Sequence, residues 1–203
     1  ATPRRISART RNRWNPAMST NEQVIFEDGF DGGIGEGWSC LRENADHWRL
    51  ADGGLEIWVE PGVADTVRNA LVRTAPDRSE GTFAIEVTVS NHTFPIQQYE
   101  QAGITWYSGG KPVFKLVKEL IDGGIFIIPG HTAMPTNAVR LRLIVSADSW
   151  EATYRPDGDA EYQTAATGDL PAQADDQVSL QCYNGPEGAE HWIRFEDFRI
   201  TKL

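Results

Sequence analysis

The sequence predicts an all-β fold, a two-sheet antiparallel β-sandwich, and three observations support this prediction. From Val24 onward, short runs of alternating polar and apolar residues are separated by Gly, Pro, Asn and Asp, as in antiparallel sheets with one buried and one solvated face. No run combines the length and the continuous apolar stripe of a helix. About ten to twelve runs can be counted, and many short strands with frequent turn signals are typical of sandwiches and jelly rolls.

The strands are predicted in chain order from the turn residues that bound each run. FKLVKEL has a helix-like composition, but SGGKP precedes it and DGG follows it, so only a strand fits the space. Asp122, Gly123 and Gly124 are predicted to turn this strand into the next one. The predicted strands are HWRLADGG continuing into LEIWVE, NALVRTA, TFAIEVTVS, AGITWY, FKLVKEL, GIFIIP, AVRLRLIVS, WEATYRP, QVSLQCYN and HWIRFEDFRITKL.

Length and composition favour one folded domain with an acidic surface. The 203 residues include 40% hydrophobic residues and seven Trp, enough to build one core. Residues 1–17 contain five Arg, whereas all 29 acidic residues lie further along the chain. We therefore expect a flexible Arg-rich arm over residues 1–23 and a sandwich domain over 24–203. Because so acidic a body repels phosphates and anionic headgroups, nucleic acid and membranes are not expected partners.

The sequence predicts a cytoplasmic protein. It contains no stretch of 18 uninterrupted apolar residues and no apolar signal core near its start. Its two cysteines, Cys40 and Cys182, do not form a disulfide framework of the kind found in small secreted domains. A reducing compartment fits this usage.

Several segments, taken in order, resemble the concanavalin A-like superfamily. They resemble in particular the family of unknown function labelled as regulation-of-enolase-like, and they are similar to the C-terminal sandwich domain of some β-xylosidases. The resemblance implies a jelly roll whose concave face forms a groove, without implying an activity. The family hairpin reads Tyr-Ser-x-Asp-Gly-x-x-Trp, whereas Tyr162 stands here where a stacking Trp is expected. The matching segments are FEDGFDG, HWRLADGGLEIWVEPG, QQYEQAGITWY, FKLVKEL, VRLRLIVSADSWEATYRPDG and AEHWIRFEDFRI.

Strand alternation defines a candidate binding floor. Successive side chains point to opposite faces, so Ala102, Ile104 and Trp106 face the core while polar and aromatic side chains face away. Sugars present apolar C–H faces and many hydroxyl groups, which suits aromatic rings beside hydrogen-bonding side chains. The alternative to a binding floor is a solvent-exposed sheet face whose polar and aromatic side chains bind no ligand. The predicted floor contains Tyr99, Tyr107 and Trp192 for stacking, Gln101, Lys115, Glu119 and Arg194 for hydroxyl groups, and also Gln181 and Tyr183.

Three functions fit such a floor. The first is a non-catalytic carbohydrate-binding module, and the second is a protein-interaction or regulatory domain of metabolism. The third is a glycoside hydrolase, which needs two carboxyl groups flanking the bond. Glu100 and Glu119 could be proposed, but alternation sends Glu100 to the core side. The Glu-x-Asp-x-Glu strand motif of laminarinase-type relatives is also absent from the sequence, so hydrolysis is disfavoured.

The candidate metal sites are less specific. Glu27, Asp28 and Asp197 form a possible calcium site, because the resemblance implies that a structural ion often lies where the first and last strands meet. Asp157, Asp159 and Glu161 alternate in PDGDAE, but Pro-Asp-Gly favours a solvated turn. The four His are scattered, which argues against zinc. Of these, His191 either takes part in acid–base chemistry or serves as a packing residue.

Overall fold

The computed structural model describes residues 22–203, which form two facing antiparallel sheets. This confirms the predicted all-β sandwich. No helix in these residues is long and apolar enough to cross a membrane. The strands are β1 (Gln23–Asp28), β2 (Ser39–Leu41), β3 (Trp48–Ala51), β4 (Gly54–Trp58), β5 (Ala70–Thr74), β6 (Phe83–Asn91), β7 (Gln101–Ser108), β8 (Lys111–Ile121), β9 (Gly124–Ile128), β10 (Thr132–Ala133), β11 (Val139–Val145), β12 (Ser149–Pro156), β13 (Gln163–Asp169), β14 (Gln177–Tyr183) and β15 (Trp192–Lys202).

The two sheets interleave distant parts of the chain. The seven-stranded sheet has the order β10-β9-β8-β7-β14-β5-β2. The eight-stranded sheet has the order β13-β12-β11-β6-β15-β4-β3, and β1 also pairs with β15. The last strand, β15, pairs with β6 along one edge. Along its other edge it pairs first with β4 and then with β1, so the C-terminal strand lies inside this sheet.

The core lies between the sheets and is built from the alternating apolar positions of both. Trp106 of β7, Leu116 of β8 and Leu180 of β14 meet Leu141 of β11 and Phe195 of β15 in one buried cluster. Each of these side chains is fully buried or nearly so, so burial of apolar surface fixes which face of each strand points inward.

Two short 3-10 turns punctuate the sandwich, at Ala45–His47 and Arg78–Glu80. The predicted hairpin between β8 and β9 is confirmed, with Asp122 at φ 48° and Gly123 at φ 81°. Both values lie in the left-handed region that this type of tight turn requires.

The prediction misses β2, β10 and β13, and β1 is anticipated only by the resemblance of FEDGFDG. The sequence of β13, QTAATGD, contains Thr but no Val, Ile or aromatic residue, and its Ala, Gly and Asp are depleted in strands. It pairs all the same, because β12 offers an open edge along which Tyr154 bonds Gln163 and Glu151 accepts from Thr164. Residues 1–21 of the predicted arm lie outside the described part of the chain.

Candidate functional site

Seven of the nine predicted floor residues lie together on or beside the outer face of the seven-stranded sheet. Their chain neighbours Ala102, Leu116 and Cys182 belong to the core cluster, so alternation turns the floor residues outward. The register places Gln101 between Glu119 and Tyr183. The seven are Tyr99, Gln101 and Tyr107 before and along β7, Lys115 and Glu119 on β8, and Gln181 and Tyr183 on β14.

Trp192 and Arg194 do not join them, and the prediction of one floor with nine members is wrong for these two residues. Both lie on β15, which pairs with β4 and β6 in the other sheet. Their chain neighbours Ile193 and Phe195 face the core, so Trp192 and Arg194 face outward on the opposite side of the sandwich. Sequence alternation assigns a face to a residue but does not assign its strand to a sheet.

Three floor residues form a closed hydrogen-bonded cluster. Lys115 Nζ donates to Gln101 Oε1 at 2.6 Å and to Glu119 Oε2 at 3.0 Å. Gln101 Nε2 donates to Glu119 Oε1 at 3.2 Å. Gln101 and Glu119 are buried, whereas a third of the Lys115 side chain is exposed. The amide and the carboxylate are thus held in fixed positions, and the ammonium group of Lys115 is their link to solvent.

Tyr99 lies beside this cluster and is the accessible aromatic residue of the floor. Its side chain is 51% exposed, and its carbonyl oxygen accepts from Gln101 Nε2 at 2.9 Å. Its φ of 67° is in the left-handed region, which a bulky side chain rarely adopts. The backbone bond from Tyr99 N to Leu120 O, at 2.8 Å, holds this conformation. Strained residues of this kind are often found at ligand sites.

Tyr107 is placed on the predicted face but is not free to stack on a ligand. Its hydroxyl oxygen lies 2.8 Å from the carbonyl oxygen of Ala64 and 2.9 Å from Gln181 Oε1. The side chain is buried because the β4–β5 connection covers this end of the floor. Thr105, on the same face, is also buried, and its Oγ1 has no hydrogen-bond partner within residues 22–203. The stacking role predicted for Tyr107 is therefore wrong in this conformation.

Tyr183 closes the floor beside Gln101. Burial, with Glu119 and Tyr107 nearby, raises the pKa of the Tyr183 phenol, so its hydroxyl stays protonated at neutral pH. Only 6% of the residue is exposed. We therefore regard Tyr183 as a support for the Gln101 and Glu119 side chains, which carry the polar chemistry of the site.

Glu100 lies on the inner side of the sheet, as alternation predicts. Its carboxylate faces His191, with 2.9 Å between Glu100 Oε1 and His191 Nδ1. Its other oxygen accepts from the backbone N–H groups of Ile96 and Gln97. Both Glu100 and His191 are buried. Glu100 and Glu119 therefore point to opposite sides of one sheet and do not flank a common substrate position.

The carboxylates of two predicted calcium residues, Glu27 and Asp28, are engaged with protein groups, and the backbone carbonyl of the third, Asp197, accepts from Arg140. Asp28 Oδ1 accepts from the backbone N–H of Phe30, and Asp28 Oδ2 accepts from Gly35 N and Trp38 Nε1. Glu27 pairs with Arg199 at 3.4 Å. No group of three His, Cys, Asp or Glu side chains that could hold a metal ion is found within residues 22–203. The role of Asp28 in this structure is to fix the loop after β1.

Sequence reasoning also missed one contributor to the site and one aromatic residue on the opposite face of the sandwich. The Ala64 carbonyl belongs to a loop, and no local pattern shows that this loop covers the floor. Trp58 was passed over as well, although alternation in LEIWVE places it on the same face as Glu56. It is the register partner of Trp192, so selecting both would have revealed a second aromatic surface.

Comparison with solved structures defines the fold class of the chain. The GH43 protein BlXynB from Bacillus licheniformis matches with a TM-score of 0.72 at 18% identity, over 87% of this chain and 39% of that chain. A xylan β-1,4-xylosidase from Bacillus halodurans C-125 matches with a TM-score of 0.64 at 16% identity, over 87% and 39%. SCLam, a non-specific endo-β-1,3(4)-glucanase from family GH16, matches with a TM-score of 0.59 at 10% identity, over 92% and 93%.

These likenesses show that the chain shares the β-sandwich fold found in these proteins. The chain spans about two-fifths of the length of the GH43 proteins that it matches. No protein-family model and no curated protein matches the sequence. The resemblance to the regulation-of-enolase-like family therefore stays a hypothesis.

Proposed function

We propose that this sandwich is a non-catalytic carbohydrate-binding module whose ligand contacts Tyr99 and Lys115. The observation that carries the proposal is the exposed Tyr99 residue, whose backbone carbonyl accepts from Gln101 of the Gln101–Lys115–Glu119 cluster. A sugar ring would stack on the aromatic face, and its hydroxyl groups would reach the ammonium of Lys115. Since the cluster is already ordered, little side-chain freedom is lost on binding.

The similar structures support carbohydrate as the ligand class. Two of them are described as a xylan β-1,4-xylosidase and an endo-β-1,3(4)-glucanase. A binding role fits this chain better than hydrolysis, because Glu119 is the one carboxylate among the seven grouped floor residues and Glu100 faces the other way. Xylo-oligosaccharides and β-1,3- and β-1,4-linked gluco-oligosaccharides are therefore the first ligands to test.

A protein-interaction role is the second candidate, and a specific surface favours it. Phe94 and Ile96 in the β6–β7 connection are 62% and 69% exposed, close in sequence to Tyr99. Exposed apolar side chains that cluster in this way often mark contacts with other proteins. This candidate predicts that Phe94→Ser combined with Ile96→Ser abolishes an interaction while leaving sugar binding intact.

Replacing Tyr99 with Ala should lower the affinity for the bound oligosaccharide about tenfold, which is the loss of one aromatic contact. Tyr99→Phe keeps the ring and should keep most of the affinity. A glycan array identifies the oligosaccharide, and isothermal titration calorimetry measures the change. Ile25→Ala is the matched control, because Ile25 is similarly exposed, at 46%, but lies on β1, which belongs to the other sheet.

Two results would contradict the proposal. One is an array on which the folded protein binds no glycan. The other is a defined ligand whose affinity is the same for Tyr99→Ala, Tyr99→Phe and the wild-type protein. If Tyr99→Ala loses binding and also has a lowered melting temperature, Tyr99→Phe separates the loss of the ring from the loss of folding, because it retains the ring.

A further inference from the structure

The outer face of the eight-stranded sheet carries an aromatic row, formed by His47, Trp58, Trp192 and His92. Trp58 and Trp192 are register partners, with ring centroids 6.2 Å apart. The His47 ring centroid lies 4.1 Å from that of Trp58. His92 lies on the other side of Trp192, where the backbone N–H of His92 donates to the backbone carbonyl of Trp192. With neighbouring strands about 4.8 Å apart, the row spans about 14 Å.

The residues of this row are at least partly open to solvent. His92 is exposed, while His47 and both Trp side chains are partly exposed. Side-by-side Trp rings on a sheet face have no packing role in the core, because Ile57 and Ile193 fill the inner positions next to them. The row therefore presents a long, narrow, aromatic surface to solvent.

A row of charged side chains runs parallel to the rings. Arg49, Glu56 and Arg194 are register partners across β3, β4 and β15. Glu56 accepts from Arg49 Nε at 2.6 Å and from Arg194 at 3.2 Å, and it pairs with His92 at 2.7 Å. The Arg49 side chain is 53% exposed, and its Cζ lies 4.1 Å from the Trp192 ring centroid. The Arg49 guanidinium group thus lies over one face of the Trp192 ring and presents hydrogen-bond donors at the aromatic surface.

The charges around the row favour a neutral ligand. The two guanidinium groups of this surface are outnumbered by carboxylates, each of which contacts the row or its arginines. Such a balance disfavours phosphates, sulfates and anionic headgroups. A purely apolar partner is disfavoured as well, because docking would bury the charged row. The carboxylates are those of Glu56, Glu60, Glu190 and Glu196.

We propose that the aromatic row is a second carbohydrate-binding site, which takes a neutral oligosaccharide or polysaccharide chain lying across the strands. One sugar ring would stack on Trp58 and another on Trp192, where it would displace the exposed Arg49 guanidinium group from over the ring. The displaced guanidinium group would then donate hydrogen bonds to the sugar hydroxyl groups. A span of about 14 Å across four chain segments suits several linked sugars better than one. The two binding sites would lie on opposite outer faces of the sandwich, so one chain could hold two glycans.

Calorimetry with defined hexasaccharides tests this inference separately from the first site. The probes are hexasaccharides of β-1,4-linked xylose and of β-1,3- and β-1,4-linked glucose. Trp58→Ala and Trp192→Ala should each weaken one binding event about tenfold or more and leave the Tyr99-dependent event unchanged. Tyr99→Ala should do the reverse. Thermal melts of all three variants establish that they are folded.

The outcomes separate the two proposals. If Trp58→Ala and Trp192→Ala leave every binding event unchanged, or if no probe binds in a manner that depends on these residues, the second site is overturned whatever Tyr99→Ala does. If sugar binding depends on the Trp residues and not on Tyr99, the second site stands and the first fails. Self-association of the wild-type chain that Trp192→Ala abolishes, without sugar binding, would make the row a contact between copies and would overturn the inference.

Discussion

Replacing Lys118 with Met should stabilise the protein at pH 7 by about 2 kcal/mol. Lys118 is buried on the inner side of β8, and burial lowers the pKa of its ammonium group from 10.5 to about 8. It borders a cavity of about 10 Å³ lined partly by Val59, Ile125 and Ile193. The pKa difference corresponds to about 3 kcal/mol against the folded state. Met fits the space, but the substitution removes the bond to the Asn137 carbonyl, which offsets about 1 kcal/mol.

The same shift predicts a specific pH dependence. Between pH 8 and 10.5 the unfolded chain keeps the proton on Lys118 while the folded chain loses it, so the unfolded state binds more protons. This contribution to the free energy of unfolding therefore rises with pH through that window, and the penalty is fully present below pH 8. The advantage of Lys118→Met over the wild type should accordingly shrink as the pH approaches 10.5.

Urea unfolding of the wild type and of Lys118→Met at several pH values measures the difference in their free energies of unfolding. The contributions of other titrating groups are the same in both proteins and cancel in this difference. Lys111→Met is the matched control, because the Lys111 side chain is 70% exposed and pairs with Asp65 at the surface; its stability should change little at any pH. A Lys118→Met protein that is less stable than the wild type at pH 7, by an amount independent of pH, would contradict the prediction.

Replacing Glu100 with Ala should destabilise the protein by about 3 kcal/mol. The change removes the acceptor for His191 and for the N–H groups of Ile96 and Gln97. Each buried donor left without an acceptor costs about 1 kcal/mol or more. Because these bonds hold the segment that leads into Tyr99, sugar binding at the first site should weaken as well. Urea unfolding and calorimetry measure the two effects.

Two further variants calibrate this result. Glu100→Gln keeps a carbonyl acceptor in place and should lose less stability than Glu100→Ala. Glu80→Ala changes an exposed residue and should be nearly neutral. If Glu100→Ala lowers the free energy of unfolding no more than Glu80→Ala does, the buried pair does not hold this segment.

The grouping of Gln101, Lys115 and Glu119 could be predicted from sequence because strand alternation is a local property. Residues two positions apart on a strand lie on the same face of the sheet, whatever the rest of the chain does. The breakers around FKLVKEL then sufficed to identify a strand despite its helix-like composition. The two-sheet architecture followed from the number of such segments.

The failures concern properties that depend on distant residues. Trp192 lies on a well-predicted strand, but its sheet is decided by pairing with β4, more than 130 positions earlier in the chain. Tyr107 faces outward as predicted, yet Ala64 of another loop covers it. The strand β13 forms because it pairs with the open edge of β12, even though most of its own residues are weak strand formers. Local patterns carry no signal for any of these.

The most direct measurement of the central claim is a nuclear magnetic resonance titration of the ¹⁵N-labelled protein with the oligosaccharide that the array identifies. Our account predicts saturable shifts of the backbone amides of Tyr99, Gln101, Lys115 and Glu119. Shifts confined to the Trp58 and Trp192 indoles would support the second binding site and contradict the first binding site. The absence of any shift at these four amides, at ligand concentrations that saturate binding, would show that the outer face of the seven-stranded sheet is not the carbohydrate site.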